Sequence, residues 1–137
     1  MGAAALITGV LPQVEELLNG LWYVNVHTEA YPDGEIRGQL RLEADLAFRA
    51  GLFGNQEVPP VSTTARGLAS ISLSQDDSVL TVQAIASGLS GPITGAHLHR
   101  GAPGETGPVV LSLTHLVSGN TISGRFDTVA AILSDLK

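Results

Sequence analysis

The sequence predicts an all-β sandwich or barrel with one or two short helices. Short alternating or β-branched runs, separated by Gly, Pro, Asn and Asp, dominate residues 21 to 126, the pattern of half-buried strands joined by tight turns. Only two segments carry helical spacing instead. At 137 residues the chain is of single-domain size and long enough to bury about two thirds of its unfolded surface.

In chain order, PQVEELLNG is the first helix: Val14, Leu17 and Leu18 fall at i, i+3 and i+4, acidic residues occupy the first turns and Gly20 is the stop. Residues 21–28, LWYVNVHT, alternate as a strand, with Trp22, Val24 and Val26 facing the core and Tyr23, Asn25 and His27 facing outward. A strand over 35–43 sets Glu35, Arg37 and Gln39 opposite Ile36, Gly38 and Leu40. Strands over 46–53, 66–73 and 79–87 follow. TGAHLHR gives a strand over 94–99, with His97 and His99 on one face and Ala96 and Leu98 on the other. The Gly- and Pro-rich RGAPGETGPVV turns into a strand over 108–113, and a last strand covers 120–126. DTVAAILSDLK is a second helix, with Asp127 as candidate N-cap and Val129, Ile132 and Leu133 on one face.

The two helical segments resemble each other. Thr8-Gly9 aligns with Ser123-Gly124, and the match runs through Ile7/Ile122, Leu11/Phe126, Val14/Val129, Leu17/Ile132, Leu18/Leu133 and Leu21/Leu136. This internal repeat makes residues 1–45 the end of one unit and 46–137 most of the next, together one domain in permuted order. Two closures follow: the chain folds on itself as a natural circular permutant, or it lends its ends to neighbouring copies as a domain-swapped homo-oligomer.

Composition limits the partners. A net charge of -6 and a pI near 5.0 argue against nucleic acid and anionic membrane surfaces, which need a basic face. With no cysteine, disulfides and thiolate metal sites are excluded, so any metal is held by histidine, carboxylate or backbone oxygen. The apolar opening MGAAALITGVL lacks a preceding basic residue, and Pro12 interrupts it before the roughly 20 residues a membrane span needs. It reads as folded protein, with no membrane insertion.

The histidines carry the chemistry. If the strands of His27 and of His97 and His99 lie side by side, three imidazoles converge on the outer surface, a nitrogen set suited to a transition metal. The same H-x-H spacing also describes two plain surface histidines. His115, in LSLTHLVSGN, is either a strand-end residue or a fourth ligand. Arg37 is either half of a surface ion pair with a nearby acid such as Glu35, worth under about 1 kcal/mol, or a guanidinium that draws a small anion towards a metal.

Three blocks, FGNQEVPPVSTTARGLASISLS, GLSGPITGAHLHRGAPGETGPVV and WYVNVHTEAYPDGEIRGQL, resemble the signature blocks of the CHRD domain, the repeat named after chordin. They cover nearly the whole chain, in permuted order. More distantly, the HLH strand with its Gly-rich loop, and VNVHTEAYPDGEIRG, resemble the copper segments of the copper,zinc superoxide dismutases. That second resemblance implies a Greek-key β-sandwich, with His27, His97 and His99 as copper ligands and Arg37 as the anion-guiding residue. It also implies superoxide as the small-anion substrate and dismutation as the chemistry; on ligand chemistry, Cu(II) binds three imidazoles most tightly and zinc is the main competitor. Val109, after Gly107-Pro108, stands where the dismutases have their bridging histidine, and their zinc ligands and disulfide cysteines have no counterpart. The chordin resemblance implies an extracellular or periplasmic setting and, as the alternative function, a metal-free structural or protein-interaction module.

Overall fold

The computed structural model describes residues 12–44, 46–74 and 78–127. Among the described residues a helix, α1 (Pro12–Leu18), precedes ten strands: β1 (Trp22–Thr28), β2 (Ile36–Gln39), β3 (Arg41–Ala44), β4 (Ala47–Phe53), β5 (Arg66–Leu73), β6 (Val79–Ser87), β7 (Ile93–Arg100), β8 (Val109–Ser112), β9 (Val117–Ser118) and β10 (Thr121–Asp127). Helix α1 stops where predicted. Leu21 N–H donates to Glu16 O and Gly20 N–H to Leu17 O, a Schellman closure. Leu17 is buried in the core.

The strands form one antiparallel sheet in the order β8-β7-β1-β2-β4-β5-β6-β10-β9, with β3 hanging from β4. Core side chains come from strands near both ends of this order, Leu98 and Val110 on one side and Leu80 and Ile122 on the other, so the sheet curls around a single core. The fold is the all-β sandwich or barrel expected. From β6 the chain crosses to β7, which returns beside β1, the long return that marks Greek-key connectivity. Strand β1 pairs with both β7 and β2.

Strands β4, β5 and β6 alternate in burial as period-two runs should. Two expectations need correction. The strand expected over 35–43 breaks at Leu40, whose N–H bonds Trp22 O, and continues as β3 paired to β4 alone. The second face of β1 does not lie on the outer surface: Tyr23 and Asn25 are 2% and 5% exposed and His27 is half-buried. Loops and β2 side chains roof that face, forming a polar layer outside the apolar core. The short strand β9 was not expected. The helix anticipated from Asp127 onward lies outside the described residues apart from Asp127 itself, which ends β10. Among the described residues no helix is long and apolar enough to cross a membrane.

Candidate metal centre

The register of β1 on β7 assembles the centre. Tyr23 pairs with His99, Asn25 with His97 and His27 with Gly95. Side chains alternate along both strands, so His27 lies diagonally across from His97, with His99 one step further along the same face. Each of the three histidines offers one ring nitrogen within 4.8 Å of the others. His97 Nδ1 and His27 Nε2 are 3.1 Å apart. The His27 and His97 rings meet edge to face at 4.9 Å between centroids, and those of His97 and His99 at 5.7 Å.

Two backbone carbonyls fix the tautomers. His27 Nδ1 lies 2.8 Å from Pro32 O, and His99 Nδ1 lies 2.9 Å from Gly107 O. A carbonyl only accepts, so both Nδ1 atoms carry the proton; His27 Nε2 then accepts from His97 Nδ1, and His99 Nε2 keeps a free lone pair. His99 Nε2 is buried and has no hydrogen-bond partner. Burial, then the neighbouring charges of His27 and His99, lowers the pKa of His97. For His99 burial also leads; the Gly107 hydrogen bond opposes it, and His27 and Arg37 add to the lowering. Both rings are thereby biased to the neutral form a metal needs.

Tyr23 holds His99 in place. Its ring stacks on the imidazole at 4.8 Å with 1° between planes, and its hydroxyl accepts the Gly107 N–H at 3.0 Å. Gly107 thus bonds both Tyr23 and His99. It passes so close to Arg100 O that a Cβ would collide with the backbone, and only glycine fits. Tyr23→Phe keeps the stack and removes the hydroxyl. It is expected to cost about 1 kcal/mol of stability and on the order of tenfold in metal affinity, read by thermal melting and metal titration.

Arg37 is 1% exposed and buried over Tyr23, its Cζ 3.4 Å from the ring centroid. It donates to Ala102 O at 3.1 Å and Gln39 Oε1 at 3.3 Å. The surface ion pair with Glu35 does not form. Glu35 is itself fully buried and accepts from Thr28, Thr63 and Ser90 at 2.7–2.8 Å. His115 lies outside the three-histidine group; it is exposed in a 3-10 turn and meets Phe126 edge-on at 5.5 Å.

Glu57, which the sequence did not single out, is buried behind the same strand. Gly34, at φ 120, passes between its carboxylate and the Asn25 amide, where a side chain would strike both. Glu57 Oε2 and Asn25 Oδ1 are buried without partners. Burial pushes the Glu57 carboxyl up to about 7; Asp33 adds to the rise and Arg37 opposes it. A folded-state pKa above the ordinary 4.5 stabilises the fold below 4.5, and that contribution is lost as the pH rises towards 7. Glu57→Gln should therefore match the wild type near pH 4.5 and exceed it above pH 7 by up to roughly 3 kcal/mol. Melting curves across that range would reveal it; a constant difference would contradict it.

Fold and site define an all-β module with a half-buried three-histidine cluster on the strand pair β1 and β7. The CHRD domain family matches residues 5–40 and 48–136, and the chain belongs to that family. No curated protein and no solved structure matches it.

Proposed function

We propose that this CHRD module binds a transition metal, copper in the first instance, through one ring nitrogen each of His27, His97 and His99. The observation that carries the reading is the buried, unpartnered Nε2 of His99, held with its lone pair free by a hydrogen bond on its other nitrogen. Metal-bound histidines are oriented in this way by second-shell carbonyls. A set of three imidazoles without thiolate favours Cu(II) over the other common divalent ions, with zinc as the main competitor.

A bound copper would supply one-electron exchange with a small anion such as superoxide. Arg37 contributes only at long range, because its guanidinium is buried over Tyr23 and adds positive potential without reaching the centre. His115 is left out of the ligand set. The extracellular or periplasmic setting carried by the family resemblance belongs to the same proposal.

The test is a Cu(II) titration of metal-stripped protein followed by EPR. The proposal expects a saturable signal with nitrogen hyperfine structure at one equivalent. Weak, non-stoichiometric copper would instead favour the metal-free interaction module.

A further inference from the structure

The repeat in the sequence, the family match and the backbone mark one joint in the chain. The match breaks between residues 40 and 48, and the segments before β1 and after β10 carry the same apolar pattern. Strand β3 fills that break. It pairs with β4 alone, and Arg41, Leu42 and Glu43 are all exposed. None of Arg41, Leu42 and Glu43 belongs to the core cluster. The Arg49–Glu43 ion pair, 3.5 Å long between exposed groups, adds little.

The turn that follows is strained. Leu46 has φ 63, the only non-glycine residue with positive φ among the described residues. A leucine in this conformation costs on the order of 1 kcal/mol, relieved if the turn extends. A short hinge under strain, between segments that pack well, is the arrangement that favours swapping.

The segment on the N-terminal side of the joint packs well. Helix α1 puts Leu17 into the core, and β1 brings Trp22, Val24 and Val26. Strand β1 pairs with β7 along its whole length, and β2 pairs with both β1 and β4. Moving this segment to the same place in a second copy repeats every one of these contacts. Among the described residues it gives up the β3–β4 pairing, the Arg49–Glu43 ion pair and the bond from Leu73 N to Leu46 O.

We propose that α1, β1 and β2 exchange reciprocally between two copies of this chain, with β3 and Leu46 as the hinge. Each three-histidine centre is then completed by His27 from the partner copy beside His97 and His99 of the first. The exchange rests on the fold alone; its consequence for the centre rests on the metal reading above.

Complementation tests both. One variant is His27→Ala; the other combines His97→Ala with His99→Ala. The two are unfolded together at high concentration, refolded and titrated with Cu(II), beside each alone and the wild type. A reciprocal heterodimer regenerates one intact centre, whereas closed chains regenerate none. The expected result is a species of twice the chain mass by light scattering, tight copper uptake in the mixture and uptake weakened at least about 10²-fold in either variant alone. Leu46→Gly, which removes the strain, should lower the dimer fraction. A single-chain mass at every concentration, with no copper regained in the mixture while the wild type binds it, overturns the exchange. A dimer whose fraction falls in Leu46→Gly, with a wild type that binds no copper, upholds the exchange and removes the metal reading.

Discussion

Replacing His97 with alanine is expected to weaken copper binding about 10²- to 10³-fold while the metal-free protein keeps its melting temperature. Structural zinc sites supply roughly 10–16 kcal/mol from about four ligands, so each ligand accounts for about 2.5–4 kcal/mol. His97 is the middle member of the cluster, touching the rings of both other histidines. Its side chain is half-buried and belongs to the polar layer, not to the apolar core, so its loss leaves no core cavity. His115→Ala is the control, since that ring sits against Phe126 outside the cluster and its loss should leave the affinity unchanged. Calorimetric titration of both variants decides. An undiminished affinity in His97→Ala would remove the proposed centre.

Glu35→Ala should be the most destabilising single change on the polar face. The Glu35 carboxylate accepts from Thr28 Oγ1, Thr63 Oγ1 and the Ser90 hydroxyl and amide, tying the end of β1 to two loops. Truncation leaves the donors of a fully buried Thr28 and its neighbours without an acceptor, at a cost of about 3 kcal/mol. For a domain of this size that corresponds to a fall in Tm on the order of 10 °C. Burial alone would raise the Glu35 pKa, but the bonds from Thr63, Ser90 and Thr28 outweigh it and hold the carboxyl below 4.5. A depressed folded-state value stabilises the protein above 4.5, and the contribution is lost as the pH falls through that value. The gap between wild type and Glu35→Ala should therefore narrow in acid. A variant melting within a degree or two of wild type at neutral pH would show that the bonds are replaced by water.

Neither effect depends on the same information. His97 and His99 could be paired from the sequence alone, because residues two apart on a strand share a face whatever the strand packs against. Glu35 could not. Its alternation with Arg37 suggested a surface ion pair, whereas each turned inward to different partners. Those partners, Thr63 and Ser90 for one and Tyr23 and Ala102 for the other, lie on other strands or loops of the chain.

The sequence by itself determined the all-β class, the span of nearly every strand, the stop of α1 and the faces on which His27, His97 and His99 point. These follow from local rules: side-chain period, turn chemistry and capping. Only the tertiary structure decided that β1 lies beside β7, which turns two separate histidine strands into one cluster. It also decided that Arg37 and Glu35 are buried, that Tyr23 and Gly107 hold His99, and that Glu57 shares the layer behind them. Strand pairing and the roofing of a polar face depend on contacts distant in sequence. Their energies come from hydrogen bonds and burial that no local pattern encodes.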